Sequence, residues 1–136
     1  MNKLPKRERL HGRSDIEKLF ASGKHFKIHP FKVVWLNQKQ TGYPALRMGV
    51  SVSKRISKNA VDRNRIKRLI REAYRTTKAP FLKKLESQLK QIDFFLVYTG
   101  QTNPLMIDIQ EKINLILERL TKDNDQTAGS ADHSSN

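Results

Sequence analysis

"MGVSVSKRISKNAVDRNRIKRLIREAYR" (48–75) passes from a β-prone segment into a densely basic one. Its first residues, with "LRMGVSV" at 46–52, are valine-rich and follow a turn-like "NQKQTGYP" (37–44), which predicts a strand. Its second half packs Arg63, Arg65, Lys67, Arg68, Arg71 and Arg75 into thirteen positions with only Glu72 opposing them. Asn59 and Asp62 resemble the Asn-x-x-acid start of a helix, which places the basic segment on a helix over 60–78, ended before Pro80. Projected at about 100° per residue from Arg63, Asn64, Lys67, Arg68, Arg71, Arg75 and Lys78 fall between about 40° and 140°. Ile66, Leu69, Ile70 and Ala73 fall between about 240° and 340°, so charge and apolar surface separate onto opposite faces. Arg65, near 200°, lies beside Glu72 and apart from the basic stripe.

A basic amphipathic helix is often no more than a solvated surface. The signs of the charges argue otherwise here. Exposed helices commonly mix Glu with Lys at i,i+4, because like charges at that spacing repel. Arg63, Lys67, Arg71 and Arg75 stand four apart in series. Arginine outnumbers lysine, which suits forked contact with phosphate oxygens. Residues 47–78 carry eleven basic side chains and two acidic ones, most of the excess of a chain whose net charge is +14. Such a ligand binds largely through backbone charge, with a steep salt dependence.

The 136 residues suit one domain with a modest core. A charge excess of this size serves an anionic partner, nucleic acid first and an anionic membrane surface second. No apolar run approaches the ~20 residues of a spanning helix, so no membrane partner is expected. "MNKLPKRERLHGR" (1–13) lacks the apolar centre of a secretory signal, and Glu8 and Pro5 speak against a transit peptide. The absence of cysteine excludes disulfides, thiolate nucleophiles and cysteine zinc sites, and is compatible with a reducing cytoplasm.

Elsewhere, Ser14-Asp15-Ile16-Glu17 reads as a capping box opening a helix over about 15–22, with Ile16, Leu19 and Phe20 on one face and Gly23 as stop. "FKVVWL" (31–36) reads as a strand forming an antiparallel hairpin with 46–52. Residues 81–91 predict a short helix, and "DFFLVYT" (93–99) the most apolar and central strand. Asn103-Pro104 reads as cap plus first position of a last helix, whose Ile109, Ile113, Ile116, Leu117 and Leu120 face the core. The polar segment 122–136 has no large apolar residue and is expected to be a disordered tail after a single domain over 1–121.

Residues 48–75 resemble the signature of the bacterial ribonuclease P protein subunit, an Arg-Asn-Arg helix after a strand ending in a Ser-Val-Ser-Lys segment. "LPKRERLHGRSDIEKLFASGKHF" (4–26) resembles that family's basic arm and first helix, and "DFFLVYTG" its last strand, so the likeness covers roughly 3–120. It implies a two-layer α/β (α+β) sandwich in αβββαβα order, with a central mixed sheet and the basic helix in a left-handed βαβ crossover. It further implies a cytoplasmic, monomeric accessory subunit in a 1:1 ribonucleoprotein. There a catalytic RNA uses Mg2+ to remove the 5′ leader of precursor tRNA, and the protein holds no catalytic or metal site. By position, Arg63, Asn64, Arg65, Lys67, Arg68, Arg71 and Arg75 would bind the catalytic RNA. Ile16, Phe20, Phe31, Val34, Lys54 and Arg55 would line a cleft for the leader. Ile16 and Val34 stand where aromatics are expected, the "RISKN" linker is a residue longer than usual, and 98–104 lacks the expected basic residues.

From the residues alone Phe20, an i+4 aromatic on a short helix, reads as core, and only the resemblance raises its cleft role to an even balance, whereas Trp35 faces opposite to Val34 and belongs to the core. His11, His25, His29 and His133 have no metal-like partners; His25 and His29 read as surface loop residues or as stacking partners for bases. No Ser-His-Asp set, paired carboxylates or Gly-rich phosphate loop is visible. Two alternatives stay open: a ribosomal or other structural RNA-binding protein with no role in tRNA processing, and a stand-alone nuclease.

Overall fold

The computed structural model describes residue 4 and residues 6–10, 12–38 and 44–125. A 3-10 turn over Lys6–Glu8 precedes α1 (Arg13–Ser22), β1 (Lys24–Ile28), β2 (Phe31–Gln38), β3 (Leu46–Val52), α2 (Ala60–Thr77), α3 (Ala79–Ser87), β4 (Gln91–Tyr98) and α4 (Met106–Asp125). This is a mixed α/β chain whose four strands lie in the order β1-β2-β4-β3. β4 is antiparallel to β2 and parallel to β3.

The expected hairpin between 31–36 and 46–52 does not form, because β4 is inserted between its two arms. The physical reason is burial. Every residue of β4 except Val97 is buried, and only a central position gives such a strand neighbours on both edges. β2 finds its hairpin partner in β1 instead, through a turn at His29 and a cis-bonded Pro30. β1 went unread in the residues because Lys24, His25 and Lys27 leave only Phe26 and Ile28 to signal it, and charged edge strands of this kind resist unwanted pairing.

The helix ends also differ in detail. Gly12, not Ser14, precedes α1, with no side-chain cap; Ser14 lies inside the helix and Glu17 turns to Arg13 at 3.5 Å, so the expected capping box does not form. Asn59 does cap α2, its Oδ1 accepting from Val61 N at 2.9 Å. α3 stops at Ser87 in a Schellman ending, with Leu89 N donating to Glu86 O and Lys90 N to Leu85 O. Leu89, inside the expected 81–91 helix, instead occupies the left-handed position at φ 56° just past its end and is exposed. α4 begins at Met106 rather than at Pro104, its first bond running from Ile109 N to Leu105 O, and continues to Asp125, four residues into the expected tail. Residues 126–136, His11, His133 and the 39–43 part of the turn lie outside the described residues.

Two apolar clusters occupy the two faces of the sheet. Phe26, Phe31, Val33, Trp35, Leu46, Met48 and Val50 meet Ile66, Ile70, Ala73 and Tyr74 of α2 and Ile109, Ile113, Ile116, Leu117 and Leu120 of α4. The second cluster is small: Leu10, Leu19, Val34 and Phe95 under α1, with Ile16, Leu36 and Val97 at its margin. Period-2 alternation along β2 makes the division, since Phe31, Val33 and Trp35 point one way and Val34 the other. A lightly covered sheet face results, and it positions the site.

Candidate nucleic-acid interface

The α2 side chains differ in how free they are. Asn64 and Arg68 are exposed, and Lys67 is half-buried. Arg63 donates to the Ser57 carbonyl at 2.7 Å, tying the start of the helix to the linker. Arg65 pairs with Asp62 at 3.2 Å and reaches the Thr102 carbonyl at 3.4 Å, rather than sitting against Glu72. Glu72 is taken by Arg75 in a fork of 3.0 and 2.6 Å. That hydrogen bond, foremost, holds the Glu72 carboxyl below its usual range and raises Arg75. Lys78 is paired with Glu8, which binds the N-terminal turn to the end of α2.

Arg71, on the charged arc by angle, also serves a hollow beside the helix. It lines a concavity of about 440 Å³ together with Lys6, Arg9, Ile16, Gly49 and Phe95, between the N-terminal arm, α1 and the edge of β3. Burial, and next the like charge of Arg9, lower the Arg71 guanidinium from its ordinary value. The arm is held there by a bridge between Arg9 and Met48, by Leu10 N donating to Met48 O at 2.9 Å, and by Leu4 buried in the main core. Two guanidinium groups and an ammonium thus line an otherwise apolar hollow.

Of the expected cleft residues, Ile16 lines this hollow and Phe20 stands at its margin, 41% exposed, with its ring edge-on to Phe95 at 5.2 Å. Val34 belongs to the same face but is 3% exposed beneath α1. Phe31 does not belong there. Three residues from Val34, it points to the opposite face, 1% exposed in the main core and edge-on to Tyr98 at 5.6 Å. Lys54 and Arg55 are exposed in the turn after β3, where Ser53 Oγ accepts from Arg55 N at 3.1 Å.

Phe95, Gly49, Lys6 and Arg9 were not singled out by the sequence. The signal for Gly49 was its place inside a strand, which marks a close approach. A Cβ there would stand 2.5 Å from the Phe95 ring and 3.0 Å from the Leu10 carbonyl. At the far end of this face Arg47, Asp93, Gln38 and Asp15 form a polar knot that joins α1 to β3 and β4. Trp35 is core as expected, with Lys24 Nζ 5.4 Å from its ring centre. His25 and His29 are exposed, and among the described residues no group of three or more His, Asp or Glu is placed to hold a metal ion. No helix is long and apolar enough to cross a membrane among the described residues.

An exposed aromatic beside converging cations is chemistry for single-stranded nucleic acid, in which bases stack and phosphates pair. Residues 4–121 match the family described as Ribonuclease P. The chain is 44% identical over 75 residues to the ribonuclease P protein component of Porphyromonas gingivalis, a match spanning 55% of each chain. It is 35% identical over 122 residues to that of Dictyoglomus turgidum, covering 83% of this chain and 94% of the relative. The RNase P proteins of Staphylococcus aureus and Thermotoga maritima superpose with TM-scores of 0.63 at 25% identity, over 83% and 82% of this chain and 94% and 96% of theirs. By the match over nearly its whole described length, this chain belongs to the ribonuclease P protein family.

Proposed function

We propose that the chain is the protein subunit of ribonuclease P, an accessory to an RNA that removes the 5′ leader of precursor tRNA in the cytoplasm. In this reading Arg63, Asn64, Arg65, Lys67 and Arg68 present α2 to the catalytic RNA, one protein to one RNA. The single-stranded leader lies on the α1-facing side of the sheet, its bases against Phe20 and its phosphates toward Arg9, Arg71, Lys54 and Arg55. Magnesium belongs to the RNA, and the protein contributes affinity and position rather than a reacting group. The observation that carries the reading is the exposed Phe20 ring, propped edge-on by Phe95 next to a concavity lined by Arg9 and Arg71.

Reconstitution at low magnesium tests it. Addition of the protein to the catalytic RNA and precursor tRNA should restore leader removal where the RNA alone is nearly inactive. No stimulation, with RNA binding retained, would favour a structural RNA-binding role. Cleavage by the protein without the RNA would favour a stand-alone nuclease.

A further inference from the structure

Strand register sorts the α1-facing side of the sheet into rows. His25, Val34, Phe95 and Gly49 form one row, and Lys27, Lys32, Val97 and Ser51 the next, each crossing β1, β2, β4 and β3. The first row is capped by Leu19 and Phe20 of α1; in the second, both lysines are exposed, and Val97 and Ser51 are half-buried. Lys27 and Lys32 are direct cross-strand partners. Like charges placed opposite each other on adjacent strands destabilise the pairing.

Among the described residues the carboxylates of this face are engaged elsewhere. The carboxylates of Asp93 and Asp15 are both held by Arg47 at the other end of the face, and Glu17 pairs with Arg13. Among the described residues neither lysine has an ion-pair partner. The row ends at Ser51, one residue inside the end of β3, and the chain then turns through Lys54 and Arg55. Cations therefore stand at both ends of a shelf about 14 Å wide, three inter-strand steps, with Val97 on its floor.

We propose that Lys27 and Lys32 bind backbone phosphates of single-stranded RNA, extending the leader's path across the outer row of the sheet to its free edge at β1. The inference rests on the reading that this face holds the leader. It assigns the distal part of the leader to an edge hairpin, and it makes affinity depend on leader length.

The test uses the holoenzyme, reconstituted with wild-type protein or with K27Q/K32Q, and measures affinity for precursor tRNAs carrying a long or a one-nucleotide leader over a range of salt. The glutamine variant should bind the long-leader precursor about fivefold more weakly, with a salt slope smaller by about 1.4, the value for two single-strand phosphate contacts. Its affinity for the short-leader precursor and for the catalytic RNA should not change, and K27R/K32R should behave as wild type. The glutamine variant should also melt no lower than wild type, since a repulsive pair has been removed. Unchanged long-leader affinity, or equal loss on both substrates, overturns the proposal. If wild-type enzyme itself binds both precursors equally, the leader reading falls with it; if wild type discriminates and the variant does so equally, the lysine row alone falls.

Discussion

Arg47 and Asp93 meet across β3 and β4 as a forked ion pair, Nε to Oδ1 at 2.9 Å and Nη2 to Oδ2 at 2.7 Å. Both are nearly buried, at 7% and 1% exposure. Gln38 adds a third bond to Asp93 at 3.0 Å, and Arg47 reaches out to Asp15, so the pair anchors α1 over one end of the sheet. A buried pair offsets its desolvation only while both partners remain. Asp93→Ala should therefore lower stability by about 3–5 kcal/mol, whereas Arg47→Met combined with Asp93→Leu should lose far less. Denaturant midpoints with unchanged slope check this; a double variant as unstable as the single one would show that shape, not charge balance, sets the loss.

Phe20 and Phe31 should separate cleanly when each is cut to Ala. Phe31 is sealed in the main core, so its loss should lower stability by about 3–5 kcal/mol with no preference among RNA ligands. Phe20 is partly exposed and makes one edge-on ring contact, so its loss should lower stability by about 1 kcal/mol. It should weaken long-leader binding by about 1–3 kcal/mol, the range for one stacked base. Thermal melts and leader-dependent affinities read both effects. An equal loss for long- and short-leader substrates in Phe20→Ala would remove the ring from the leader site.

Gly49 gives the same face a second test. A methyl group at this position collides with the Phe95 ring, with the Leu10 carbonyl close behind, so the ring must move. Overpacking of this kind lowers stability by about 1–3 kcal/mol. Because Phe95 props Phe20, Gly49→Ala should also weaken long-leader binding while leaving catalytic-RNA binding by α2 intact. Parallel titrations with the two RNAs decide it, and loss of both affinities together would mean that the substitution acts on the fold as a whole.

How much of this was legible follows from the range over which each signal acts. The basic helix was readable because eighteen residues repeat one period, and Asn59 marks its start with a real cap. β4 was readable as central because its apolar run is nearly unbroken. Strand pairing was not, since β3 and β4 meet only after α2 and α3 have intervened, and a hairpin is the local default. Phe31 shows a readable signal set aside: residues three apart on a strand face opposite ways, so Phe31 and Val34 could not share a cleft. Arg71 lies on the charged arc by angle, yet it also lines a hollow shared with Lys6 and Arg9 of the N-terminal arm. No helical projection contains that arm.

Glu72 and Arg75 supply the last prediction. Arg75 stands in the basic series by sequence, but both oxygens of Glu72 hold its guanidinium. Arg75→Ala should then weaken catalytic-RNA binding less than Arg68→Ala, whose side chain is exposed. Glu72→Gln should free Arg75, tighten binding and steepen the salt slope by up to about 0.9, one phosphate contact. Adding Arg75→Ala to Glu72→Gln should cancel the gain, a coupling that a double-mutant cycle measures. Acid should act in the same direction. The Arg75 hydrogen bond holds the Glu72 carboxyl below its usual range, so the pair's contribution to stability is present above the ordinary carboxylate range and is lost only as pH falls through that depressed value. Arg75 should become available to RNA across that window, and not across the higher one of an ordinary glutamate. If Arg75→Ala proves as damaging as Arg68→Ala at neutral pH, Arg75 reaches RNA in spite of Glu72, and the pair is an orienting contact rather than a mask.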